Sequence, residues 1–412
     1  MERLLQYVWK YRLYNASELE TTDGIPVQVI DTGVQNTDAG PDFFNAKIKV
    51  GHTVWAGSVE IHEKASDWTA HRHDRDKAYD SVILHIVETD DAVIRRTTGE
   101  VIPQMIIRIP ESVSHNISWL LRRDMEMPCL LHLREIERVH LSGWTNSLLQ
   151  ERLERKTRDI SGLLQLCNND WDEVFYIMLT RNFGFGTNSD SFEWLAKGLP
   201  FKCIRKQRDN RVHIEALLFG QAGMLEEAGE CPYYLLLQRE FNFLKQKYGL
   251  RPLDASLFKN LRVRPGNFPY QRLAQLAAVW SAHDSLFSLM LESGDPAQMK
   301  RYLRQTPSEY WDTHYHFRYA SPRKEKVIGE NSLDILLINT VVPILFAYGK
   351  QKRRDDYCER AIHLLETIPP ENNSIVRAFE SAGLPAQNAG DTQALIQLKR
   401  EYCESKKCLY CR

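Results

Sequence analysis

The sequence has no run approaching the ~18 consecutive apolar residues that a membrane-spanning helix needs. Its longest apolar stretch, residues 333–348, is broken by Asp334, Asn339 and Pro343. The opening Met1-Glu2-Arg3-Leu4-Leu5-Gln6 lacks the long apolar core of a secretory signal, so a cytoplasmic protein is expected. Net charge is also missing: 53 Lys and Arg stand against 54 Asp and Glu, a formal −1. That excludes a wholly basic, histone-like chain and an acidic solvating tail, but not a local phosphate-binding surface. The sequence contains no G-x-x-x-x-G-K-[ST] phosphate loop, no G-x-G-x-x-G fingerprint and no G-x-S-x-G nucleophile elbow. Those absences speak against an ATPase, a Rossmann oxidoreductase and an α/β-hydrolase. Gly184-Phe185-Gly186-Thr187 is too short to argue a nucleotide site. There is no fixed repeat period, no low-complexity tract and no helix-turn-helix, zinc-finger or RNA-binding consensus, so neither a regular solenoid nor sequence-specific readout is expected.

What is present is an ordinary globular composition, 43% hydrophobic and 26% charged over 412 residues, enough for two or three domains. The character changes between residues 125 and 142. Before it come a helix over 4–12 and five strand signals at 26–34, 43–50, 53–62, 82–87 and 102–109, with alternating or β-branched runs between turn residues. This predicts an α+β domain over 1–125 built on one sheet. After it the apolar period is helical, with helices expected from 142 and at 171–181, 213–227, 232–248, 270–291, 297–306, 332–348, 355–368, 375–381 and 391–403. Residues 126–412 therefore read as a larger, mostly α-helical domain with a cysteine-rich C-terminus. In a reducing compartment its cysteines are thiols or metal ligands rather than a disulfide framework.

The densest chemistry lies between Asp38 and His85. Pro41-Asp42 enters one strand, and Glu60-Ile61-His62 ends the next apolar run. Side chains alternate along a strand, so Ser58, Glu60 and His62 share a face. An Asp on one strand beside a Glu on its hairpin partner can chelate a hard divalent cation, and a group two residues on points at the same place. His71-Arg72-His73-Asp74-Arg75-Asp76 follows. If that segment is extended, His71 and His73 can bind Zn²⁺, Mn²⁺ or Fe²⁺ together, with Asp76 as a further donor. No Glu follows His73 before Glu88, so the segment does not make a cupin-type signature. The competing reading is a charged surface loop in which Asp74 or Asp76 caps the following turn. His85, inside VILHIV, reads as a hydrogen-bonded core histidine, and Trp55 and Trp68 as core or rim packing.

At Pro41-Asp42 and Glu60-Ile61-His62 the sequence resembles the PD-(D/E)xK nuclease superfamily, whose pattern is Pro-Asp, a spacer, then Asp/Glu-x-Lys on the following strand. His62 stands where that pattern has its water-orienting lysine, and Lys64, Lys47 or Lys49 are alternative sources of that cation. The longer strings DAGPDFFNAKI, WAGSVEIH and SDWTAHRHDRDKAYDSVILHIV, with HIEALLFGQAGML and RPGNFPYQRLAQLA further on, are similar to the bacterial family called domain of unknown function 2851. The nuclease resemblance implies a restriction-endonuclease-like sheet flanked by helices. It also implies Mg²⁺ or Mn²⁺ held by Asp42 and Glu60, and His62 as the third catalytic residue.

Cys403, Cys408 and Cys411 form C-x₄-C-x₂-C near the end, a spacing suited to Zn²⁺ or an iron–sulfur cluster. Cys358, Cys167, Cys129, Cys203, Cys231 or His363 could supply a fourth ligand. Some PD-(D/E)xK nucleases carry an iron–sulfur staple near the C-terminus, so the resemblance implies the same use here. The alternative is a tail with three reactive thiols. Cationic islands, notably Lys202, Arg205 and Lys206 and the group Arg262, Arg264 and Arg272 around a Pro-Gly turn, could hold a nucleic-acid backbone through phosphates. Equally, each could be a solvated helix end. The expected function is a metal-dependent nuclease or phosphodiesterase acting on nucleic acid. The alternatives are an inactive nucleic-acid-binding or protein-interaction scaffold and a different His/Asp metal hydrolase.

Overall fold

Period-two alternation in the first part of the chain builds one mixed sheet. The computed structural model describes residues 2–15, 19–36, 40–109, 137–226, 231–261 and 263–404. The chain divides into two compact units, Met1–Pro128 with Cys403–Arg412, and Cys129–Tyr402. In the first unit the strands are β1 (Val27–Asp31), β2 (Val34–Gln35), β3 (Phe43–Val50), β4 (Thr53–Lys64), β5 (Val82–Thr89) and β6 (Gln104–Ile106). Their order is β1-β3-β4-β5-β6, with β2 also paired to β3. β3 runs antiparallel to β1, β2 and β4, whereas β4/β5 and β5/β6 are parallel. Parallel pairing needs a crossover, and here α2 (Asp67–Ala70) and the short 3-10 turns His73–Arg75 and Lys77–Ser81 provide it.

The strand expected over 26–34 is split at Gly33, which has φ +84°. A Cβ on Gly33 would lie 2.5 Å from the Phe44 carbonyl oxygen, so only glycine fits there. A bulge at the start of β3 centres on Asn45, with φ +58°. Asparagine tolerates that left-handed backbone, and the bulge re-aims the strand end that carries Asp42.

Helix α1 (Glu2–Lys10) buries Leu4, Leu5, Val8 and Trp9. That stripe joins Phe43, Ala46, Ile48, Val59, Ile61, Leu84, Ile86 and Met105 in one core. Val59 and Ile61 belong to this core, so Glu60 and His62, which alternate with them, project from the opposite face. A smaller cluster of Trp68, Val82, Ile94 and Ile102, with Tyr79 against it, forms separately.

Among its described residues the second unit is helical, with one small hairpin, His314–His316 with Tyr319–Ala320. The single helix expected over 270–291 is two helices, Pro269–Ala282 and Leu286–Glu292, because His283 leaves helical backbone at φ −134°, ψ 138°. Two helices the periodicity did not predict, Ser189–Gly198 and Phe201–Arg205, are short amphipathic pieces after Gly184 and Pro200. The helical run Glu330–Lys352 is long and apolar enough to cross a membrane by length and composition, yet 72% of its most apolar window is buried inside the fold. Pro343 lies within it. Proline has no amide to return to the carbonyl four residues back, here that of Asn339. The chain answers with a π turn, Leu337–Val341, and Asn182 Nδ2 donates to the Asn339 carbonyl (3.0 Å) and Thr340 Oγ1 (2.8 Å).

Asn182→Leu should therefore leave a half-buried carbonyl and the buried Thr340 hydroxyl without this donor and destabilise the protein by about 1–3 kcal/mol in urea unfolding. In a Pro343→Ala background, where an amide is again available to Asn339, the same substitution should cost measurably less.

Candidate metal centre

β4 ends at the centre of a polar cluster. Glu60 and His62, two residues apart on one face, are 5% and 1% exposed. His85 on β5 is fully buried. The chain leaving β4 then folds back: His71 follows α2 directly, and His73 opens the next 3-10 turn. Between them Arg72 is left-handed, with φ +63°. Non-glycine residues adopt this backbone at some cost, and such strain gathers at functional sites. The His-x-His segment is thus not extended, as the metal-binding reading of it required. A sharp turn does the same work, and the ligand atoms of His62, His71 and His73 all lie within 4.8 Å of one another. Glu60 Oε1 is 3.6 Å from His62 Nε2 and 3.5 Å from His73 Nε2. The His73 ring stacks on Tyr79 at 3.7 Å, and Trp68 meets the rings of His73 and His85 edge-on.

A hydrogen-bond relay orders these rings. Gln104 Nε2 donates to Asp90 Oδ1 (3.1 Å) and to the Ala92 carbonyl (2.9 Å), so its carbonyl oxygen faces His85 Nδ1 at 3.0 Å. His85 must then donate from Nδ1 and accept at Nε2. That nitrogen lies 2.8 Å from His62 Nδ1, so His62 donates there and keeps the lone pair of its Nε2 on the side of His71, 3.1 Å away. This is the tautomer a metal-ligating histidine needs. Burial, then the neighbouring imidazoles, push the His62 pKa down to about 2, and burial lowers His85 to about 4 despite its bond to Gln104. Both rings are neutral at pH 7.

Asp42 lies beside this group without joining the three histidines. Its amide donates to Glu60 Oε2 (2.9 Å), while Oδ1 accepts from Gln6 of α1 (2.8 Å) and Oδ2 from the Ile61 amide (3.1 Å). Burial and the Glu60 charge push its carboxyl up to about 7. Asp42 and Glu60 therefore come together as expected, but both Asp42 oxygens already hold protein donors.

Several other expected residues sit elsewhere. Asp76 is exposed and caps the Lys77–Ser81 turn through the Ala78 amide (2.9 Å), as the charged-loop reading had it. Lys64 and Lys47 are exposed and Lys49 is half-buried, so of these candidates only His62 is buried. Lys202, Arg205, Lys206 and Arg264 are exposed in the helical unit. Arg272 is instead 5% exposed, bonded to Gln275, Asn267 and Ser332 and stacked 3.9 Å over Phe185, so it corrects to a packed structural cation. Arg262, Cys129, Cys408 and Cys411 lie outside the described residues. Cys403 is buried at the end of a π turn. Among the fourth-ligand choices, Cys358 contacts the Phe346 carbonyl, Cys203 packs in the hydrophobic core, and His363 is exposed beside Glu366.

Gln104 had no signal in the sequence, since one glutamine in a short strand marks nothing. Its replacement by leucine removes the acceptor for His85 Nδ1 and leaves that fully buried N–H without a partner. Gln104→Leu should lower stability by roughly 1–3 kcal/mol, measured as a reduced urea midpoint.

Neither a curated protein nor a solved structure matches the chain. A family model described as protein of unknown function (DUF2851) matches residues 2–374, and with that span the chain belongs to this family.

Proposed function

We propose that the N-terminal unit is a metal-dependent hydrolase of phosphodiesters, with nucleic acid as the substrate class, and that His62, His71 and His73 hold its divalent transition metal. The observation that carries this reading is the convergence of the three imidazoles, with neutral His62 presenting a lone pair and a carboxylate 3.5–3.6 Å from two of the rings. Three histidines favour Zn²⁺, Mn²⁺ or Fe²⁺ over Mg²⁺, which prefers oxygen donors. A cation held there lowers the pKa of water and draws charge from a phosphoryl oxygen. Glu60 Oε1 is the base within reach to take the proton of an attacking water. Asp42 holds Glu60 in place through its amide, and Gln104 and His85 fix the ring of His62. Exposed Lys202, Arg205, Lys206 and Arg264 are the candidates for backbone phosphate contacts. Support for phosphodiester chemistry comes from the positions of Asp42 and Glu60 at paired strand ends, the arrangement implied by the PD-(D/E)xK resemblance.

A second reading has its own observation. Asp42 and Glu60 are close, mostly buried and of like charge, and two such carboxylates are stabilised by a hard cation. In that case Mg²⁺ or Mn²⁺ binds them and the histidines only line the site.

Titration calorimetry with Zn²⁺, Mn²⁺ and Mg²⁺ separates the two. In the first reading the double variant His71→Ala/His73→Ala weakens Zn²⁺ or Mn²⁺ binding by more than about 100-fold, because even loss of an outer partner costs about 10–100-fold. In the second, Asp42→Asn removes Mg²⁺ binding and the histidine variant leaves it intact. Glu60→Gln should reduce metal-stimulated hydrolysis of bis(4-nitrophenyl) phosphate and of DNA or RNA by about 10²–10⁴-fold. Retention of nucleic acid without turnover under every metal would replace the hydrolase by a binding protein, and metal binding unchanged in all variants would remove the centre altogether.

A further inference from the structure

The helical unit contains a second cluster of charge, unrelated to the histidines. Arg152, from the middle of helix Arg138–Leu166, is 5% exposed. Its Nε donates to Gln393 Oε1 (2.5 Å), and Gln393 Nε2 in turn donates to Glu371 Oε2. Its Nη1 is buried and has no hydrogen-bond partner. A guanidinium nitrogen stranded in the interior is costly and calls for an acceptor. Arg152 and Lys156, one turn apart, line a cavity of about 10 Å³, whose other walls include Leu153, Val342, Leu365 and Asn339. Asn339 belongs to the π turn, and such turns recur at functional sites.

Arg155 is tied to Glu401 at 3.5 Å. Glu371 is held by Gln393 and Thr392. Arg400 adds to the positive field on Arg152, while Asp159 and Arg181 act on Lys156 from opposite signs. Burial, then the guanidiniums of Arg152 and Arg155, lower the Lys156 pKa to about 8. Arg152 and Lys156 thus both line a small cavity, and the nearby Glu371 and Glu401 are bonded to other groups.

We propose that this cavity binds a monatomic anion, chloride under ordinary conditions, between Arg152 Nη1 and Lys156. The space, about 10 Å³, is on the scale of a single small occupant. The lining points the same way. Its walls are largely aliphatic, and they lack the ring of donors that four phosphate or sulfate oxygens would need. The bound anion supplies the missing acceptor to Arg152 and offsets the repulsion between the two cations, which couples the folding of this helical unit to halide concentration.

Thermal unfolding of the full chain at constant ionic strength, with chloride exchanged stepwise for gluconate, tests this. Above saturation, each tenfold rise in chloride should raise the folded-to-unfolded ratio about tenfold. Bromide should reproduce the effect, sulfate should not, and Lys156→Gln should flatten it. Equal stability in chloride and gluconate overturns the site, and equal stabilisation by sulfate overturns its monatomic character. Should Lys156→Gln fail to fold, bromide-soaked crystals of the wild-type protein decide the matter. An anomalous peak beside Arg152 Nη1 supports the anion site, and ordinary water density there without one refutes it.

Discussion

The N-terminal unit depends on one constraint: polar groups placed on the closed face of a sheet must be satisfied without water. Glu60, His62 and His85 are all buried, and an unpaired polar atom there costs about 1–3 kcal/mol. The solution is a directed chain of bonds. Asp90 and Ala92 fix the amide of Gln104, Gln104 fixes the proton of His85, and His85 fixes that of His62. Because each link determines the next, the lone pair of His62 Nε2 is fixed by the fold itself. Such preorganisation is what a metal-ligand set requires.

Backbone geometry serves the same end. Bulged Asn45 sets the strand end behind Asp42, and left-handed Arg72 turns His71 and His73 toward one point. The helical unit meets an equivalent problem by similar means. Pro343 interrupts a buried helix, a π turn absorbs the break, and Asn182 replaces the lost donor. The same turn contributes Asn339 to the cavity beside Arg152. In both units an irregular backbone adjoins buried polar groups, because that is where a regular ladder cannot supply every partner.

Much of the architecture was legible because it follows from local periodicity. Alternation predicted the positions of β3, β4 and β5, and a 3.6-residue stripe predicted α1 and most long helices. The exceptions have local causes: Gly33 split the first strand, and His283 split one helix into two. For the site, Pro41-Asp42 and Glu60-Ile61-His62 were visible, and the shared face of Glu60 and His62 follows from period two alone. His71 and His73 were visible as residue types but not as neighbours of His62.

The sequence by itself determined the family, the division into a strand-rich and a helical portion, and which residue types could do chemistry. These depend on composition, spacing and short-range period. The tertiary structure decided which of those residues meet. It brought His71 and His73 to His62, gave both Asp42 oxygens to Gln6 and Ile61, joined Gln104 to the relay, and buried Arg272 and Arg152. The physical reason is that hydrogen-bond partnership and desolvation depend on contacts between distant segments, and no local period of the chain encodes them.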